Sequence, residues 1–156
     1  MAGGFINETQ IFKAIAMSNF GDGPYVKAIS MARAPITAVM KATYFVELAE
    51  EGKLPSTFAK LYSDSPEKFF AVTPELKKIF GDDWKKLPPG AIGLYSYFVD
   101  RIGTGLRQLM AGARKWKLEL LDRKDLASLT ERARRVTGIP TIDELAEEEI
   151  ERILAD

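Results

Sequence analysis

Apolar residues recur along this chain at steps of three and four, and no run of alternating apolar and polar residues persists anywhere. That spacing gathers apolar side chains on one side of a helix, whereas a half-buried strand needs a period of two. The pattern predicts an all-α fold. Asn7 followed by Gln10 has the spacing of a capping box, with Ile11, Phe12, Ile15 and Ala16 behind it at helical spacing. Gly21-Asp22-Gly23-Pro24 reads as a turn. A second, longer helix is expected over residues 25–51, stopped by Gly52 and Pro55, with a bend at Pro35 inside it.

The middle of the chain is built from short pieces. Ser56 and Thr57 open a brief helix through Tyr62, and Ser65-Pro66-Glu67 and Thr73-Pro74-Glu75 each pair a cap with a proline start. Gly81 and Pro88-Pro89-Gly90 break the chain again. Further helices are expected over 91–102, interrupted by Gly103-Thr104-Gly105, then over 106–121 and 124–136. Thr141 with Glu144 makes a capping box for a last helix reaching about residue 154. The organisation expected is an N-terminal helix-turn-helix arm (1–52), a compact helical bundle (53–138) and an acidic C-terminal helix (139–156).

Composition narrows the function. A chain of 156 residues, 46% of them hydrophobic, buries a core and is too apolar to stay disordered. It contains neither Cys nor His, which removes disulfides, thiolate chemistry, the commonest neutral-pH base and the usual metal ligand. The carboxylates of Asp82-Asp83 and Glu147-Glu148-Glu149 are adjacent, so on a helix they point apart. Gly103-Thr104-Gly105 lacks the remaining glycines and the lysine of a phosphate loop. No catalytic, metal or cofactor site is therefore expected, nor a small-molecule substrate, and the chain reads as a non-enzyme. Its longest apolar stretch, roughly 91–99, is well short of the ~20 residues of a spanning helix. The start of the chain lacks the basic residues and apolar run of a secretory signal. Missing Cys and His beside abundant Lys, Arg and Glu is compatible with a hot habitat.

The formal net charge of zero hides an asymmetry. Residues 137–156 carry Arg152 against Asp143, Glu144, Glu147, Glu148, Glu149, Glu151 and Asp156, a net −6, which leaves +6 on residues 1–136. Between Thr9 and Val46 the only acid is Asp22, while Lys13, Lys27, Arg33 and Lys41 are cationic. On a continuous helix Lys27, Ser30, Arg33, Ala34, Thr37 and Lys41 share one face, with Val26, Ile29, Ile36, Val39 and Met40 left for packing. Alanines at 14, 16, 28, 32, 34, 38 and 42 keep that segment thin. Such a helix suits a phosphate backbone, because cations displace counterions and hydroxyls donate to phosphate oxygens without reading bases. Lys13, Lys27, Ser30, Arg33, Thr37 and Lys41 are the candidate DNA contacts, although sparse charges that are merely solvated give the same pattern. Arg101, Arg107, Arg114, Lys115 and Lys117 form a second basic group, as well suited to pairing with the acidic tail as to nucleic acid. The helical spacing of Phe69, Phe70, Phe80, Trp84, Tyr95, Tyr97, Phe98 and Trp116 marks core or subunit-interface residues rather than a base-stacking platform.

Arg101-Ile102-Gly103-Thr104-Gly105, followed by Leu106, Met110, Gly112 and Arg114, resembles the coat proteins of rod-shaped and filamentous viruses of hyperthermophilic archaea, the rudivirus and lipothrixvirus type. The likeness runs from Pro89-Gly90-Ala91-Ile92 to about Leu129. It implies a major coat protein whose subunits pair, with themselves or with a paralogous coat protein, and polymerise into a helical virion assembled in the host cytoplasm. N-terminal helices would wrap linear double-stranded DNA, held in A-form, and the C-terminal helices would form the outer wall. Residues 7–51 would face DNA, and the Arg101 to Gly105 motif would be structural. The acidic helix of residues 141–156 has no counterpart in that family pattern. A reading from another class is a small helical subunit that lines nucleic acid in an archaeal CRISPR effector complex; it would need unrelated chains, whereas a coat protein assembles on DNA alone.

Overall fold

A computed structural model describes residues 1–155, and Asp156, counted above in the acidic tail, lies outside them. The described residues are mostly helical. They contain three isolated bridges but no β-strand. The helices are α1 (Glu8–Met17), α2 (Arg33–Glu50), α3 (Ser56–Tyr62), α4 (Pro66–Phe69), α5 (Thr73–Phe80), α6 (Pro89–Ser96), α7 (Gly105–Gly112), α8 (Glu131–Thr137) and α9 (Ile142–Ala155). None is long and apolar enough to cross a membrane. The chain divides into two compact units interleaved in sequence: Met1–Gln10 with Ile29–Gln108, and Ile11–Ala28 with the residues from Leu109 onward. Residues 1–52, expected as one arm, are thus shared between the units.

Several helix ends follow the sequence signals closely. The Asn7 side chain accepts from the Gln10 N–H at 3.0 Å, while Gln10 Oε1 accepts from the Ile6 N–H at 2.8 Å. Thr141 and Glu144 complete a reciprocal box at the start of α9, with Glu144 Oε2 accepting from the Thr141 N–H at 2.9 Å. Gly52, at φ +66°, ends α2 in a Schellman motif: its N–H donates to Ala49 O and that of Lys53 to Leu48 O.

Four expected helices are corrected. The second does not run from residue 25; it starts at Arg33, which places Pro35 in the first turn, where its missing N–H has no intrahelical partner to lose. No bend is needed. Gly103-Thr104-Gly105 does not interrupt a helix: α6 passes through a π-helical stretch, Tyr97–Thr104, directly into α7. The small residues there permit close packing, since a Cβ on Gly105 would stand 2.6 Å from Glu8 Cγ. α7 stops at Gly112 rather than near residue 121, and Arg114 turns the chain with φ +55°. The helix expected over 124–136 begins only at Glu131, capped by Thr130, because an Asp122–Asp125 box closes a separate short turn first.

The larger unit centres on Val72, Leu76, Trp84 and Ile92, with Phe70, Leu87 and Tyr95 packed around them. Its principal helix pair is α2 on α6. The two approach so closely that a Cβ on Gly93 would lie 2.3 Å from Ala42 Cβ and 3.0 Å from Ala38 O, and one on Gly90 2.8 Å from Val39 Cγ1. In the other unit Ile11, Phe12, Ile15, Ala16, Leu121 and Ile139 are buried. Polar side chains tie its segments together: buried Asn19 donates to Leu121 O at 2.8 Å, Ser128 donates to Ile139 O at 2.9 Å, and Arg123 donates to Thr137 O. Arg134 holds α9 to α8 through Glu144, with nitrogen–oxygen distances of 2.5 and 2.6 Å.

Two outcomes follow for stability. Gly93→Ala should cost about 1–3 kcal/mol by overpacking, and Ala42→Gly in the same chain should recover part of that loss; thermal melting of the two variants checks both. The Arg134 guanidinium and the Thr141 N–H hold the Glu144 carboxyl below the usual carboxylate range. Its contribution is therefore complete above that range and is lost as the pH falls through it to the lowered value. Hydrogen exchange of the α9 amides should accelerate on acidification, and Glu144→Gln should flatten that dependence.

Candidate nucleic-acid interface

The six candidate DNA contacts do not share one helix face. Lys13 lies on the exposed side of α1, opposite buried Phe12, Ile15 and Ala16, and Lys27 lies in the non-helical segment before α2. Both belong to the unit containing Ile11–Ala28. Ser30 belongs to the other unit, but in an extended segment whose N–H donates to Met1 O at 2.9 Å. Lys27 and Ser30 are therefore removed from the helical face by the later start of α2. The exposed positions that α2 does bring together are Arg33, Thr37 and Lys41.

These three stand on a continuous outward stripe with Ile36, Met40 and Tyr44, which are 58%, 66% and 56% exposed. Ile36 and Met40 were expected to pack; the crossing with α6 instead uses Ala38, Val39 and Ala42 on the opposite side. The alanines that were to keep the helix thin against a polymer thus serve the protein's own helix pair at positions 38 and 42. The signal for the true stripe was present in the sequence, because positions 33, 36, 37, 40, 41 and 44 also recur at steps of three and four. The stripe carries no acid before Glu47. Among the described residues, Lys13, Lys27, Arg33 and Lys41 make no ion pair with a carboxylate. The Thr37 hydroxyl donates to Arg33 O at 2.8 Å, which leaves its oxygen as an acceptor only.

The second basic group is dispersed. Arg101 lies 3.5 Å from Glu8, Arg107 donates to Thr104 Oγ1, and Lys115 pairs with Asp122 at 3.4 Å. With Arg101 on Glu8 and the Tyr97 hydroxyl donating to Ile6 O at 3.0 Å, the π-helical stretch fastens the N-terminal segment. Burial raises the Tyr97 phenol above its usual value, so it stays a neutral donor. Of the aromatic set, Trp84 is buried in the core cluster and Phe70 and Tyr95 pack against that cluster, whereas Phe80, Phe98 and Trp116 are exposed.

Sequence reasoning did not find an aromatic groove beside the same helix. Phe45 of α2 stacks on Phe58 of α3 with centroids 4.3 Å apart, and Phe69 meets Phe58 edge-on at 5.3 Å. With Ala42 and Gly93 they wall an open groove of about 290 Å³, bordered by Lys41 and Arg101. No family model, no curated protein and no solved structure matches this chain.

Proposed function

We propose that this chain is a structural nucleoprotein: a major coat protein that wraps linear double-stranded DNA without regard to sequence and polymerises into a helical virion. The observation that carries the reading is the outward stripe of α2, free of acid as far as Glu47, where Arg33 and Lys41 stand among exposed apolar side chains. Arg33 and Lys41 are eight residues apart, about 12 Å along the helix axis. That is roughly the rise of three to four nucleotides on one strand. Ile36, Met40 and Tyr44 between them thin the water around any phosphate the cations meet, which strengthens each charge contact. Lys13 and Lys27 add exposed cations elsewhere on the subunit. So few charges suffice because a polymer repeats each weak contact along the duplex. The resemblance of the Arg101 to Gly105 motif and its following helix to archaeal filamentous-virus coat proteins supports the same reading.

Linear double-stranded DNA of any sequence should be coated into filaments by the purified chain alone, visible by electron microscopy. Binding should weaken linearly on a log–log plot against salt. Arg33→Gln with Lys41→Gln should lower that slope by about 2 without changing helical content. An unchanged slope would overturn the assignment of the α2 face. A requirement for unrelated chains before DNA is bound would favour the effector-subunit reading instead.

A further inference from the structure

α9 has no buried residue, yet it is strongly amphipathic. At 100° per residue Ile142, Leu145, Ala146, Ile150 and Ile153 fall on one stripe. Ile150 and Ile153 are 55% and 64% exposed. Asp143 and Glu147, one turn apart, border the stripe, and neither makes an ion pair within the chain among the described residues. An apolar helix face of this kind, rimmed by charge, marks a contact surface.

The groove of the other unit is its chemical complement. Its floor is aromatic, from Phe45, Phe58 and Phe69, and its rim carries two cations, Lys41 and Arg101. Helix-in-groove recognition uses anchors at the spacing α9 shows, with charge pairs at the edge fixing the register. We infer that α9 of one subunit docks in the Phe45–Phe58–Phe69 groove of a second copy of this chain, with Asp143 and Glu147 facing Arg101 at its rim. The occupant is a second copy because the chain itself supplies both complementary parts: the acid-bordered apolar stripe of α9 and the cation-rimmed aromatic groove. A contact between two different surfaces either repeats head to tail into a ring or a filament or is exchanged reciprocally within a pair. The inference concerns how subunits join and stands whether or not the α2 stripe meets DNA.

The absence of cysteine allows a direct test without DNA. Ser96→Cys places a thiol on the groove wall and Ile150→Cys places one on the α9 stripe. The two single variants, purified separately and mixed under mild oxidation, should give a mixed disulfide dimer in excess of either homodimer. The double variant should give chains linked to one another, as a ladder or as a doubly linked dimer. A double variant linked only within one chain, or a mixture that does not cross-link, overturns the proposal. Ile150→Asp should weaken self-association of the full chain about tenfold or more, the scale of 1.4 kcal/mol, while circular dichroism stays unchanged. Arg101→Glu should weaken it too and regain association when mixed with Glu147→Lys. Association untouched by Ile150→Asp overturns the proposal as well.

Discussion

The approach of α2 to α6 is the constraint on which the rest of the larger unit depends. Gly90 and Gly93 on one helix meet Val39, Ala38 and Ala42 on the other at distances that leave no room for a Cβ on either glycine. This close fit fixes the rotation of α2 about its own axis. Once Ala38 and Ala42 face inward, Arg33, Thr37 and Lys41 must face outward, and Phe45 must reach sideways to stack on Phe58. The cationic stripe and the aromatic groove are two consequences of one helix crossing.

The exposed side of α2 mixes cations with apolar groups. Purely polar cationic faces hold phosphate through solvated contacts that salt disperses easily. Ile36, Met40 and Tyr44 beside Arg33 and Lys41 suit a contact from which water is partly expelled, as in a coat closed around a duplex. The same composition leaves a lone subunit with much exposed apolar surface, as the proposed assembly requires. α9 is a second instance, with no buried residue and with Ile150 and Ile153 more than half exposed.

Glycine plays two roles here that sequence alone does not separate. At Gly52 it accepts a positive φ and ends a helix, as the punctuation predicts. At Gly103 and Gly105 the helix continues, widened into a π-helical stretch, and the missing side chain at Gly105 admits Glu8. Helix-breaking propensity amounts to about 1 kcal/mol per glycine, less than well-made tertiary contacts return. Residues 103–105 were therefore misread as a break, and the clamp formed by Tyr97 and Arg101 on the N-terminal segment was invisible.

The all-α class, the caps at Asn7 and Thr141, and the stops at Gly52 and Gly81 were legible in the sequence, because each depends on residues within one or two turns of each other. The acid-poor cationic segment was legible as composition. Its geometry was not: the start of α2 moved from residue 25 to Arg33, which dispersed Lys13, Lys27 and Ser30 and retained only Arg33, Thr37 and Lys41 on one face. Local chemistry sets the helix ends that carry a side-chain cap or a left-handed glycine. Which side of a helix meets water is settled by packing against residues some fifty positions away, and for α2 that partner is α6, whose two bare glycines only the folded chain brings against it.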